Sequence, residues 1–299
     1  MIKKIMVPLD GSEFAEAVLP YVTEFADRMG SEVLLFTAVG PVATWDAAAS
    51  MIRWDREQAA AQEYLDGKRS LLAAAGRTVR ATVVLGDAAE SILRVAQTEK
   101  IDLIALTTHG RSGITRWLFG SIATKLVQAS DLPLLVIRPR EGAPPPAPAI
   151  KKVLVPLDGS DVAQSILPFV EELAKTLGAR LVLFHAIAPI TAYPGFETTQ
   201  PAALGQVLEE MQEHARQMLA RAVEELKGRG LAAEAAVTID LAVDGIIAAA
   251  QELKVDLIAL GTHGRSGLGR AVMGSVADGV LRRSAVPCLL VHPRETPKT

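Results

Sequence analysis

The chain has 299 residues, 49% of them hydrophobic, a net charge of −3 and a single cysteine, Cys288. That length and apolar content suit two domains of ordinary size; the small charge excludes an electrostatic footprint for nucleic acid or anionic lipid, and one thiol excludes a disulfide framework within the chain. No stretch has the length of a signal peptide's apolar region or of a membrane span, so a cytoplasmic protein with no membrane span and no nucleic-acid partner is expected.

The first strand is Ile5–Leu9, and it ends in Asp10-Gly11-Ser12. Ser12 suits the cap of a helix, with Glu13 and Glu16 favourable in its first turns. Ala15, Val18, Leu19, Val22, Phe25 and Ala26 make one apolar helical face, which Gly30 ends. Val33–Phe36 reads as the second strand and residues 44–75 as a long helix. Val79–Leu85 alternates as a third strand, and Ala88–Thr98 is helical. Asp102–Leu106 is the fourth strand, Ser121–Ser130 a helix and Pro133–Ile137 the fifth strand. Strands alternating with helices in this way argue for an α/β fold with a doubly wound parallel sheet.

Residues 141–149, rich in Pro and Ala, cannot pair in a sheet and read as a linker between domain 1 (1–140) and domain 2 (150–299). The second domain repeats the first. Leu154–Ser160 answers Met6–Ser12, and Leu181–Phe184 answers Val33–Phe36. The offset between matching residues is 148 at Asp10 and Asp158 and 154 at Gly120 and Gly274. The extra residues fall in the connection Pro189–Gln200, which precedes a long helix over about 203–227, and surface connections accept length changes most cheaply.

The most informative repeat is hydrophilic. The apolar run Val255–Leu260 leads into Gly261-Thr262-His263-Gly264-Arg265-Ser266-Gly267, and Gly274-Ser275 then opens a helix. Asp102–Gly113 matches Asp256–Gly267 except that Thr107 replaces Gly261, and Gly120-Ser121 matches Gly274-Ser275. Strand, glycine loop and helix start form a phosphate-binding layout, because small residues admit an anion to free backbone N–H groups. The alternative is a tight turn followed by a serine N-cap. The loop lacks the lysine of a Walker P-loop. Asp10 and Asp158, at the ends of the first strands, are either turn-forming residues or ligands near a metal–nucleotide shell. Arg111 and Arg265 are either solvated or phosphate partners. His109 and His263 read as packed loop residues rather than catalysts.

These residues carry a resemblance. The sequence resembles the universal stress protein family in its tandem two-domain form. Gly261, Gly264, Gly274 and Ser275 fit the family's nucleotide motif, Gly-x2-Gly-x9-Gly-Ser/Thr, throughout, and Gly110, Gly120 and Ser121 fit it in the first half. The resemblance implies two Rossmann-like five-stranded parallel sheets of strand order 3-2-1-4-5. It implies ATP across the carboxyl ends of strands one and four, with Mg²⁺ held through the phosphates, and backbone contact to adenine at Ala38 and Ala186. It implies association through the fifth strands, as an intrachain pairing of the domains or as a homodimer.

The expected function is that of an ATP-binding, nucleotide-dependent stress-response sensor, with Trp45, Trp54, Tyr193 and Phe196 as lid or partner anchors. Slow ATP hydrolysis or autophosphorylation, and a nucleotide-free scaffold, are the alternatives. Thr107 is expected to weaken the first site if that position needs a left-handed backbone or close backbone approach to the nucleotide. Asp240, in place of Gly86, is expected to set a carboxylate near the polyphosphate of the second.

Overall fold

Each half of the chain contributes five short apolar runs, and each run forms a strand. The computed structural model describes residues 2–40, 47–108, 120–139, 149–189, 201–262 and 273–292. Two units separate, Met1–Ala149 and Ile150–Thr299. The first contains β1 (Lys4–Pro8), α1 (Glu13–Glu16), α2 (Leu19–Met29), β2 (Glu32–Val39), α3 (Ala47–Ala73), β3 (Val79–Leu85), α4 (Ala88–Thr98), β4 (Leu103–Thr107), α5 (Ser121–Ala129) and β5 (Leu134–Ile137). The second contains β6 (Lys152–Pro156), α6 (Asp161–Gln164), α7 (Leu167–Leu177), β7 (Arg180–Ile187), α8 (Pro201–Gly228), β8 (Ala233–Ile239), α9 (Ala242–Glu252), β9 (Leu257–Gly261), α10 (Ser275–Arg283) and β10 (Cys288–Val291).

All the strand pairs within each unit are parallel. The order is β3-β2-β1-β4-β5 in the first and β8-β7-β6-β9-β10 in the second. The central strands are nearly continuous apolar runs, as sheets covered on both faces require. Ile5, Leu103, Ile104, Leu134 and Leu135 are wholly buried, as are Val153, Leu257, Ile258 and Leu289. The helices supply the facing stripes: α4 buries Ala89, Ile92, Val95 and Ala96, at helical spacing.

Two features depart from the sequence expectation. The helix expected from Ser12 to Gly30 is two helices, broken at Ala17 and Val18, with Pro20 in the first turn of α2. A proline has no N–H to donate, and its ring clashes with the carbonyl four residues back. Pro168 divides α6 from α7 in the same way. The second strand is also longer than its apolar run. β2 continues through Thr37, Ala38 and Val39 and pairs with β3 as far as Leu85; β7 continues through His185, Ala186 and Ile187.

The amino ends of the central strands are tied by a side chain. Asp256 Oδ2 accepts hydrogen bonds from the backbone N–H groups of Lys151 at 2.8 Å and Lys152 at 2.9 Å. Its own N–H donates to the Lys152 carbonyl at 2.9 Å. Lys152 Nζ donates to the carbonyl of Leu253, the C-cap of α9, at 2.9 Å. Asp102 repeats the arrangement on Lys3 and Lys4, with Lys4 Nζ on the Glu99 carbonyl. Replacing Asp256 by alanine leaves two backbone donors without this acceptor, and the cost expected in urea titration is about 1–3 kcal/mol. Asp256→Asn, which keeps an acceptor oxygen, should cost less.

Cys288 opens β10 and is buried. Burial pushes its thiol up to about 12, opposed only in part by a hydrogen bond from Ser284. Thiolate is the reactive form. A thiol reagent at pH 8 is therefore expected to leave the native protein unmodified and to label one site per chain in denaturant.

Candidate functional site

In the second unit the strand ends surround a cavity of about 320 Å³. Its floor is formed where β6, β7 and β9 stop, by Pro156, Leu157, Phe184, Ala186, Leu260 and Gly261. Ala242 and Ile246 of α9 form one wall, and Gly274 and the first turn of α10 form another. Asp158, His185 and Ser275 are the wall residues with polar side chains. Five sequence-predicted residues, Asp158, Ala186, Gly261, Gly274 and Ser275, are thus brought to one cavity. Gly110, Gly264, Arg265, His109, His263, Arg111, Trp45, Tyr193 and Phe196 lie outside the described residues. Trp54 lies on α3 and is half-buried.

Asp158 sits in a tight turn. Its Oδ1 accepts from Ser160 N at 2.9 Å and from Ser160 Oγ at 2.6 Å, and Ser160 Oγ in turn accepts from Ala163 N at 3.1 Å. The turn-forming role is therefore real, and it fixes the carboxylate at the cavity wall. Asp10 and Ser12 repeat it.

Gly274, and not Ser275, is the N-cap of α10, so the serine-cap alternative does not hold. Gly274 has no side chain to accept from the first turn, unlike Ser12, Ser160 and Asp87, which cap α1, α6 and α4. The orphan N–H groups of a helix start therefore stay available beside the cavity, at the positive end of the helix dipole. Gly274 N donates to the Thr262 carbonyl at 2.8 Å. The matching bond in the first unit, Gly120 N to Thr108 O, is 2.9 Å, and a Cβ on Gly120 would come within 3.1 Å of that oxygen. Gly120 caps α5 with Ser121 as its first residue.

Thr107 and Gly261 close β4 and β9, opposite Ile137 and Val291. Neither is among the described residues with positive φ. The expectation of left-handed strain at Thr107 is therefore corrected, because an extended strand residue accepts a β-branched side chain. What differs is space: Gly261 leaves open the part of the floor where the first unit carries a side chain.

Asp240 does not line the cavity; its Oδ1 accepts from Leu241 N at 2.7 Å. Gly86 has φ +143, and a Cβ there would lie 3.0 Å from Ser91 Oγ. In the second unit the backbone at Asp240 does not have that positive φ, and Gly245 in place of Ser91 leaves room beside it, a Cβ on Gly245 lying 3.3 Å from that of Asp240. The helix starts differ as well. Asp87 caps α4, and the Glu90 N–H bond, then nearby Lys125 at 3.6 Å, hold its carboxyl below the usual range. Leu241 and Gly279 stand at these positions in the second unit.

Sequence reading missed His185 as a site residue. Its Nδ1 lies 2.6 Å from the Leu157 carbonyl oxygen. An imidazole inside an otherwise apolar strand is the available signal, but His185 has no partner at metal-ligand spacing in the sequence.

Each unit is a doubly wound α/β domain whose glycine-capped helix opens at the carboxyl ends of its central strands. A model of the universal stress protein family matches residues 1–138 and 149–292. The chain belongs to that family. A universal stress protein of Mycobacterium tuberculosis is 23% identical over 299 residues, covering 96% of each chain. A crystal structure of a universal stress protein from Archaeoglobus fulgidus superimposes with TM-score 0.71 at 20% identity, covering 98% of this chain and 97% of that one. A putative universal stress protein from Pseudomonas aeruginosa gives 0.67 at 18% identity, covering 98% and 94%. Those structures share the fold. Among the described residues no helix is long and apolar enough to cross a membrane, and no group of acidic, His or Cys side chains could hold a metal ion by itself.

Ser160 is the joint between the Asp158 turn and α6. Ser160→Ala should lower stability by about 1 kcal/mol in urea titration, as loss of a side-chain cap does, with Ser160→Thr closer to the parent.

Proposed function

We propose that the second unit binds ATP and that the protein works as a nucleotide-dependent stress-response regulator. The observation that carries this reading is the cavity at the ends of β6 and β9, walled by the unfilled first turn of α10. A volume of about 320 Å³ lies at the lower end of ligand pockets, about 300–1,000 Å³. It suits the nucleoside, with the phosphates over the α10 start, where backbone N–H groups favour anions. This is also where doubly wound sheets take ligands. Asp158 is one carboxylate on that wall, and Mg²⁺ is commonly held by one or two carboxylates together with phosphate oxygens and water; the ion would screen phosphate charge there. Binding would act by population shift, favouring the conformation that holds nucleotide. Association through the fifth strands belongs to the same reading.

All but three wall positions carry the same residue in the first unit; the exceptions are Thr37 for His185, Thr107 for Gly261 and Ile122 for Val276. Two of these enlarge the side chain in the first unit, which supports tighter binding in the second. Calorimetry with ATP and Mg²⁺ is expected to show the tighter site in the wild type, lost by at least about tenfold in Gly274→Val and retained in Gly120→Val. Equal occupancy of both sites, or occupancy of the first alone, would sink this reading. Turnover measured on the same samples separates a regulator from an ATPase.

A further inference from the structure

Of the three wall positions that differ between the units, one replaces a hydrogen-bonding side chain by another within a shared fold position. Thr37 and His185 occupy the same place near the end of the second strand, and both reach the same backbone oxygen. Thr37 Oγ1 donates to the Leu9 carbonyl at 2.8 Å. His185 Nδ1 lies 2.6 Å from the Leu157 carbonyl. A carbonyl can only accept, so Nδ1 carries the hydrogen and donates.

The consequences for the two side chains differ. The threonine hydroxyl has given its one hydrogen to Leu9 and keeps only oxygen lone pairs, on a short side chain buried beside that carbonyl. The imidazole keeps a second nitrogen. With Nδ1 protonated, the neutral ring presents Nε2 as an acceptor. The bond to Leu157 also fixes the ring at the cavity wall, one residue upstream of Asp158. Most of the wall around it is apolar, including Leu157, Phe184, Ala186, Ile246 and Leu260. In such surroundings an unmatched polar group is costly and a matched one is selective.

We propose that His185 is a specificity-determining residue of this site, whose Nε2 accepts a hydrogen bond from the nucleoside part of the ligand. The proposal rests on the nucleotide reading above. The donor is an N–H or O–H group, and a nucleoside offers two sources: the 6-amino group of adenine and the ribose hydroxyls. An analogue that lacks the donor leaves Nε2 unmatched, and one that presents a carbonyl oxygen there meets a second acceptor. In the first unit the acceptor at this position is a buried hydroxyl oxygen beside Leu9, on a shorter side chain than an imidazole.

The test is calorimetric binding of ATP, inosine triphosphate, 2′-deoxy-ATP and 3′-deoxy-ATP, each with Mg²⁺, to the full chain and to His185→Thr. Threonine suits the position because Thr37 already makes the equivalent bond. His185→Ser, whose hydroxyl can donate to Leu157 from a side chain as short as threonine's, replaces it if the threonine variant melts early. The wild type is expected to bind at least one analogue about fivefold or more weakly than ATP, the effect of one hydrogen bond. In the variant ATP weakens, and the ratio for that analogue falls towards one. A loss with the inosine nucleotide assigns the donor to the amino group; a loss with a deoxy nucleotide assigns it to that hydroxyl. Equal affinity of the wild type for all four, or ratios unchanged in the variant, overturns the proposal while leaving nucleotide binding standing. Absence of any binding to the wild type overturns both.

Discussion

Asp102 and Asp256 each turn one carboxylate oxygen onto two consecutive backbone N–H groups at the start of a neighbouring strand. β1 and β4 pair directly over only two residues, Ile5 with Leu103 and Met6 with Ile104, and β6 and β9 likewise pair over two. So short a ladder leaves register to be fixed by something else, because strands apolar on both faces carry no alternating pattern to select one pairing. The aspartate supplies that restraint at the amino ends, and the lysine above it closes the last turn of the adjoining helix. With register set there, Asp158 and Gly261 both line the cavity at the carboxyl ends.

The two ends of the sheet use opposite devices. At the amino ends, exposed backbone groups are satisfied by side chains. At the carboxyl ends, the helix that opens on the cavity is capped by glycine and keeps its first-turn N–H groups unsatisfied by side chains. A helix start beside a cavity is stable enough when water or an anion can reach it, so the absence of a side-chain cap there is compatible with folding and useful for binding. The neighbouring helices, closed by Ser12, Ser160 and Asp87, give up that possibility in exchange for a local bond.

Duplication has left the two units nearly identical at the cavity wall and different in a few places. Paired exchanges keep the packing intact: Gly86 and Ser91 in one unit correspond to Asp240 and Gly245 in the other, so that one large and one small residue share the same space. Gly279 sits so close to Val243 that an added Cβ would approach within 2.7 Å, whereas the first unit has Lys125 and Ala89 there. Each unit has therefore repacked its helix pair around its own residues. The wall differences that bear on ligands are fewer: an open floor at Gly261, a smaller side chain at Val276 and an imidazole at His185.

The sequence by itself determined the family, the two-fold repeat, the order of elements and five of the residues that meet at the cavity. Apolar runs bounded by glycine, and the spacing of Gly261, Gly274 and Ser275, report local backbone requirements, which a sequence carries directly. Tertiary structure decided what depends on partners distant in the chain. β2 and β7 extend past their apolar runs because β3 and β8 pair with them, and that extension brings His185 to the cavity. Thr107 is unstrained because Ile137 holds it in a strand, and Asp240 is tolerated because its backbone leaves the positive φ of Gly86 and Gly245 makes room. The break before Pro20 was written in the sequence but outweighed by an apolar face that continued through it. The role of Asp256 was hidden, since an aspartate at a strand start reads as a solvated turn until the N–H groups of Lys151 and Lys152, over a hundred residues earlier, are brought against it.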